Sequence, residues 1–243
     1  MPACKDRTIY YWAGVEFAPV ARYTNSLIKL VPTEWGAPTF EIDGIKMLPT
    51  AKVSPYEDAQ RKVGLIRPRG KVILDTCGGL GYFAAWCLQG QAGSVLSFEK
   101  NEDVVWLRGL NPWSPVATAV ELESKAPGAT SDRGLPLAAG SPHGGLTLVR
   151  GDVATAIGAL PDRTFDAVLH DPPRFGIAGE LYSQAFYDHL ARVLRPRGML
   201  FHYTGTPNKL TTGRDVPKEV ASRLRKAGFS TEMELDGVLA VRR

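Results

Sequence analysis

Acidic residues recur in this chain at places where an alternation of strands and helices would change element: Asp75, Glu99, Asp152 and Asp171. Asp75 closes the apolar run Val72, Ile73, Leu74, and Gly78, Gly79 and Gly81 follow before the chain enters a helix at about Tyr82. Such a loop turns tightly and lets the backbone approach a ligand closely, with the free N–H groups of the helix start facing it. Glu99 lies roughly 20 residues beyond the loop, at the end of the next apolar run, where a carboxylate can take both ribose hydroxyls of an adenosine cofactor. Asp152 follows a third run and is placed to accept a hydrogen bond from an adenine amino group. Asp171 ends a fourth and is succeeded by Pro172, Pro173, Arg174 and Phe175. Taken singly, each has a plainer reading. A glycine-rich loop is common to many nucleotide binders, a strand-end acid is often only solvated, Asp152 suits a turn, and a diproline can serve structure alone.

The elements that must carry these residues alternate. Strands are expected at 72–74, 94–98, 146–149, 165–171 and 199–203, with helices at 83–88, 101–110, 183–194 and 216–227 between and after them. A hairpin around Asp236 and Gly237 closes the chain. That order predicts an α/β fold: a doubly wound, mostly parallel, seven-stranded sheet with a C-terminal antiparallel hairpin, spanning 54–243. Residues 1–53 read differently, as short β-prone runs broken by prolines. Asp43–Gly44 between two strand-like runs is a type I′ hairpin signal, because both central residues need positive φ. A small antiparallel β domain is expected there, either a structural lid or part of a substrate site. The linking helix, 54–66, opens on the capping box Ser54, Pro55, Tyr56, Glu57. Arg61, Lys62, Arg67, Arg69 and Lys71 along it are expected to form a solvated face, with a phosphate-contacting patch as the alternative. Residues 124–145, rich in Pro, Gly, Ser and Ala, predict a long mobile loop.

The totals set bounds. A chain of 243 residues suits one α/β domain with an appendage, and 44% hydrophobic with 22% charged residues is ordinary for a globular protein. No apolar run approaches the roughly 20 residues that a bilayer span requires, and the first residues lack the apolar core of a signal peptide, so no membrane role and a cytoplasmic location are expected. Cys4, Cys77 and Cys87 are too scattered for a disulfide framework or zinc cluster, and His143, His170, His189 and His202 lack metal-ligand spacing, so no metal site is expected. A net charge of +4 is compatible with an acidic partner such as RNA and does not demand one.

Asp75, the glycine loop, Glu99, Asp152 and the DPPRF segment at 171–175 together resemble the class I S-adenosylmethionine-dependent methyltransferases, over about residues 70 to 243. The family's first motif usually reads acid-x-Gly-x-Gly-x-Gly, and Cys77 stands where the first of those glycines would be. The resemblance implies S-adenosyl-L-methionine as cofactor. Asp75 would orient the loop and hold the cofactor's amino group, while Cys77, Gly78, Gly79 and Gly81 admit it. Glu99 would take the ribose with Lys100 beside it, and Asp152 with Val153 the adenine. Methyltransferases acting on exocyclic amines of bases carry Asp or Asn, then Pro-Pro, then usually an aromatic residue. An aromatic amine is a poor nucleophile, its lone pair being delocalised into the ring. A carboxylate and a backbone carbonyl accepting from the NH2 pull it toward tetrahedral geometry, in line with the methyl donor. By that likeness Asp171, Pro172 and Pro173 are the catalytic corner. Arg174 holds the position where an aromatic would stack on the base, and Phe175 comes one later. His170 and His202 border this corner and are expected to serve packing rather than proton relay.

Taken over its whole length, with SPYED, CGGLGYFA, NPWS, DPPRF and GRDV together, the chain looks like a group of archaeal methyltransferases. That likeness implies structured RNA as partner, ribosomal RNA first, with cytidine N4 as the leading target. Arg61, Arg67, Arg69, Lys209 and Arg214 are then candidate phosphate contacts. Aminopropyltransferases of the spermidine synthase type share the sheet and a small N-terminal β domain, and would use decarboxylated S-adenosylmethionine. They need several carboxylates for a cationic polyamine, and Arg174 would repel a diamine. A non-catalytic RNA-binding module that keeps the fold is the remaining alternative.

Overall fold

The structure, a computed structural model, describes residues 7–121, 145–205 and 215–243. The expected loop at 124–145, except Gly145, which begins a strand, lies outside the described residues, as do Cys4, His143, Lys209 and Arg214.

The chain opens with a hairpin of β1 (Tyr10–Trp12) and β2 (Phe17–Pro19), then a four-stranded antiparallel sheet of β3 (Ala21–Tyr23), β4 (Leu27–Val31), β5 (Thr39–Ile42) and β6 (Ile45–Lys46). The turn between β5 and β6 has φ 49° at Asp43 and φ 80° at Gly44, as the Asp-Gly signal requires. Asp43 Oδ1 also accepts from the Leu27 N–H at 2.8 Å, tying the turn to the neighbouring strand.

Helix α1 (Pro55–Ile66) leads to the main sheet. The Ser54 hydroxyl caps it by accepting from the Tyr56 N–H, and proline at the first turn leaves no amide wasted. The main sheet contains β7 (Val72–Asp75), β8 (Ser94–Glu99), β9 (Thr118–Glu121), β10 (Gly145–Arg150), β11 (Phe165–His170), β12 (Leu194–Tyr203), β13 (Phe229–Glu234) and β14 (Gly237–Arg242). Its order is β13-β14-β12-β11-β7-β8-β10-β9, eight strands with β14 antiparallel to both neighbours. The expected count of seven is corrected by β9, which pairs in parallel with β10 and is fastened by Arg150 to Glu121 at 2.9 Å. Thr118–Glu121 is short and mostly exposed, so it lacks the apolar run that marks the other strands. Helices α2 (Tyr82–Gln89), α3 (Glu102–Leu110), α4 (Val153–Ala156), α5 (Gln184–Val193) and α6 (Val216–Lys226) cover the faces.

Register sets the site. Asp75 pairs with Ser97 on one side and Leu169 on the other, and Glu99 pairs with Arg150. Asp75, Glu99, Asp152 and Asp171 therefore all reach the carboxyl edge of the sheet, around the point where the order reverses at β7, the usual ligand position in such folds. The closing hairpin also departs from expectation. Glu234 pairs with Gly237, so the turn is Leu235–Asp236 rather than Asp236–Gly237, with φ 51° at Leu235.

The N-terminal strands share a hydrophobic cluster with the main sheet: Ile28, Leu30 and Phe40 pack with Ile73, Leu80, Tyr82, Val104 and Leu107. Burying each such side chain is worth about 1.5–3 kcal/mol. Polar ties add direction. Arg22 bridges to Asp103 at 2.6 Å and stacks over Trp106, while the Tyr82 hydroxyl donates to the Pro38 carbonyl at 2.7 Å. The last bond joins the N-terminal sheet to the first residue of α2, beside the glycine loop.

Candidate active site

The glycine loop is packed from beneath by a residue that motif reading passed over. Arg108 of α3 is only 4% exposed, and a Cβ on Gly81 would come within 2.6 Å of its Cζ. A Cβ on Gly78 would lie 2.3 Å from Ser97 Oγ and 3.0 Å from Arg108 Nη1. Gly81 also has φ 81°, so glycine is demanded twice there, by conformation and by the guanidinium. Gly79 differs: an added Cβ would meet nothing nearer than Phe40 of the N-terminal sheet, at 4.0 Å.

Asp75 is fully buried. Ser97 Oγ donates to its Oδ2 at 2.8 Å, and Oδ1 has no hydrogen-bond partner among the described residues. Burial pushes its carboxyl up to about 6, against the Ser97 bond and the Arg108 charge. Arg108 Nη1 and Nη2 are likewise without hydrogen-bond partners among the described residues. Glu99 accepts from the Gly79 N–H through Oε2 and from the Asn101 N–H through Oε1, each at 2.9 Å. A carboxylate has about four acceptor sites, so each oxygen keeps one for a hydroxyl. Asp152 caps α4 by accepting from the Ala154 N–H at 2.8 Å, and its other oxygen faces Lys100 Nζ at 3.3 Å. Val153, the first residue of α4, is buried beside it. Burial, aided by the Glu99 charge, holds the Cys77 thiol well above its ordinary value, so it is a neutral packing group rather than a nucleophile.

At the other end of the site Asp171 follows β11 and is half-buried. Its carboxyl has no hydrogen-bond partner among the described residues. Burial lifts it to about 7, Lys62 opposes that rise, and Asp58, Asp236 and Asp75 add to it. Lys62 corrects the expected solvated face. It is 1% exposed and falls on the buried stripe of α1 with Ala59, Val63 and Ile66. Its Nζ lies 2.6 Å from Asp58 Oδ2, 3.3 Å from Asp236 Oδ2 and 4.1 Å from the centroid of the Tyr203 ring. Burial raises the Asp58 carboxyl above its ordinary value, with Lys62 opposing and Asp236 adding to the rise, while Asp171, Asp58 and Asp236 together raise the Lys62 ammonium against its burial.

The diproline corner is braced from behind. The Tyr182 hydroxyl donates to the Pro173 carbonyl at 3.1 Å, and the Arg174 carbonyl accepts from the Ile177 N–H at 2.7 Å. The Pro172 carbonyl has no partner among the described residues. Phe175 turns inward, its ring edge-on to Tyr182 at 5.4 Å, while Arg174 is exposed. His170 is held between Thr76 Oγ1 at 2.6 Å and the Leu181 carbonyl at 3.1 Å, and His202 between the Tyr187 hydroxyl at 3.0 Å and the Tyr203 carbonyl at 2.8 Å. Each carbonyl takes an N–H from its ring, and because burial keeps the rings neutral the other nitrogen is left to accept from the hydroxyl. Burial lowers both, His202 to about 4. They pack the strands behind Asp171 and are uncharged at neutral pH.

The structure thus gathers Asp75, Cys77, Gly78, Gly79, Gly81, Glu99, Lys100, Asp152, Val153, Asp171 and Pro172 along one sheet edge. It does not bring Arg67 and Arg69 there, since both precede β7 and lie at the opposite edge. Arg108, Ser97, Asp58, Lys62, Asp236 and Tyr182 belong to the site and were missed. For Lys62 a signal existed: it sits at the i+3 position of an apolar stripe. Among the described residues no group of side chains could hold a metal ion, and no helix is long and apolar enough to cross a membrane.

No family model matches the chain. The uncharacterized protein MJ1233 of Methanocaldococcus jannaschii is 39% identical over 234 residues, 96% of this chain and 72% of that protein. The spermidine synthase of Thermotoga maritima superposes with a TM-score of 0.60 at 15% identity, over 98% of this chain and 79% of that one. An S-adenosylmethionine-dependent methyltransferase of Mesorhizobium loti gives a TM-score of 0.48 at 17% identity, over 76% of this chain and 96% of that one. The likeness to the spermidine synthase is one of fold, and it takes in the N-terminal strands as well as the main sheet.

Proposed function

The chain belongs to the same family as the Methanocaldococcus jannaschii protein, and from that premise we propose that it is an S-adenosylmethionine-dependent N-methyltransferase acting on a planar exocyclic amine in structured RNA, with ribosomal RNA cytidine N4 as the first candidate.

The residues present suit that cofactor. Asp75 Oδ1 is a buried acceptor without a partner beside a loop that glycine keeps thin. Glu99 and Asp152 keep acceptor capacity at the places where ribose and adenine would lie. Bound there, S-adenosylmethionine supplies an electrophilic methyl group on a sulfonium. The chain's own residues do the rest. Asp75 and the loop orient the cofactor's amino acid end, and Glu99 and Asp152 fix its nucleoside end. Asp171 and the Pro172 carbonyl accept the two N–H bonds of the amine and hold its lone pair in line. As the methylated nitrogen acquires positive charge, the Asp171 carboxylate stabilises it and accepts the proton that leaves.

The observation that carries this reading is the Asp171–Pro172 corner, with two acceptors free at the sheet edge and a brace from Tyr182 behind them. Comparing nucleosides by mass spectrometry from the RNA of a wild-type and a deletion strain tests it. One N-methylated base is expected to vanish on deletion and to return with the wild-type gene. An unchanged nucleoside profile would remove RNA as the substrate.

A second reading, aminopropyl transfer, is favoured by one observation: Asp58, Asp171 and Asp236 converge, as a site for a cationic amine would need. Lys62 already occupies the middle of that cluster, within reach of Asp58 and Asp236. Tighter binding of decarboxylated S-adenosylmethionine than of the intact cofactor would favour it.

A further inference from the structure

We propose that Lys62 is a positioning residue for Asp171: held between the Asp58 and Asp236 carboxylates, its ammonium offsets their charge and so keeps Asp171 ionised as the acceptor for the substrate amine. The inference rests on the reading that Asp171 receives that amine.

The cluster is assembled from elements far apart in the chain. Asp58 and Lys62 come from α1, Asp236 from the turn between β13 and β14, Tyr203 from β12, and Asp171 from the end of β11. Asp75 at the end of β7 faces Asp171 from the cofactor side. A lysine buried to this degree normally loses its charge. Here two carboxylates at 2.6 Å and 3.3 Å and an aromatic face at 4.1 Å keep it protonated. A structural ion pair would need one acid. This one has two direct partners and a third within electrostatic reach, and Asp236 Oδ1 is buried without a hydrogen-bond partner among the described residues.

Closely placed carboxylates cannot all ionise without a counter-ion. With Lys62 removed, Asp171 would face Asp58, Asp236 and Asp75 with no cation acting on it directly, Arg61 reaching only Asp58. It would then hold a proton at neutral pH and present a hydroxyl donor where the amine requires an acceptor. Tyr203 is neutral throughout, its hydroxyl pushed upward by burial and the same acids.

The test uses the full chain and the variants Lys62→Met, Lys62→Arg and Asp236→Asn, with cooperative melting as the check on folding. The titration midpoint of Asp171 is read by carboxyl carbon NMR, assigned by the signal lost in Asp171→Asn. In Lys62→Met the midpoint should rise by at least one pH unit, a loss of about fivefold in the ionised fraction at pH 7 for a group starting near that value. Lys62→Arg should return it close to wild type, and Asp236→Asn should lower it. The acid limb of the single-turnover methyl-transfer profile should move in the same direction. If Lys62→Met folds and the midpoint does not move, the proposal is overturned, even if the rate falls uniformly at every pH. If Lys62→Met does not fold, an unmoved midpoint in Asp236→Asn overturns it equally. Coupled midpoints in a protein that methylates no RNA would uphold the pairing of Lys62 with Asp171 and refute the substrate instead.

Discussion

The two ends of the site are built by different means. At the glycine loop the functional groups are locked by bonds between backbone N–H groups and carboxylates: Gly79 to Glu99, Asn101 to Glu99, Ala154 to Asp152. At the diproline corner the groups come from α1, β11, β12 and the last turn, and the central carboxyl is left without a hydrogen bond among the described residues. A loop that must approach a rigid cofactor is shaped by its own backbone. An acceptor whose protonation state matters is instead set by charges brought from a distance, and the fold must assemble them.

That contrast can be broken at either end. The largest effect on stability is expected from Arg108→Met at the glycine end. Leaving Asp75 and Glu99 without their shared cation should cost about 3–5 kcal/mol, read as a lower melting temperature together with weaker cofactor binding. A variant that melts like wild type would mean that Arg108 is not the counter-ion of the loop.

A smaller effect, of opposite sign, is expected at the corner. Asp171 has a folded-state value near 7, above its unfolded value of 3.8, so it stabilises the fold most below pH 4 and loses that contribution as pH rises through 7. Asp171→Asn should therefore be more stable than wild type at pH 8, on the order of 2 kcal/mol, with the gain gone at pH 4. Melting curves across that range check it, and a variant destabilised at pH 8 would contradict the strained-acceptor picture. The smallest effect is expected from Tyr182→Phe, which removes one bond to the Pro173 carbonyl. About 1 kcal/mol of stability and a few-fold in transfer rate should be lost, with cofactor affinity unchanged.

What was legible in the sequence follows the same division. Val72 to Tyr82 carries its strand, acid, loop and helix in consecutive residues, and Glu99, Asp152 and Asp171 each end or follow a further apolar run, so strand ends put the four acids at one edge. Asp43–Gly44 was legible because φ demands it. The pairing of Lys62 with Asp236 was not, because no local pattern says that a lysine in an apolar stripe will meet an aspartate 174 residues later in the chain. The slip of one residue in the last turn has the same origin. Asp-Gly suggested a turn, while pairing of Glu234 with Gly237 placed it one residue earlier and pointed Asp236 at Lys62. Arg108 reads as an ordinary charge in the last turn of α3, and only its burial beneath Gly78 and Gly81 reveals its part. β9 was hidden because Thr118–Glu121 is short and mostly exposed.

The most direct measurement is single-turnover methyl transfer to RNA by Asp171→Ala, beside calorimetric titration of the same protein with S-adenosylmethionine. The account predicts a loss of about 10²- to 10³-fold in transfer with cofactor affinity within a few-fold of wild type. Transfer at the wild-type rate, or loss of cofactor binding in step with transfer, would contradict it.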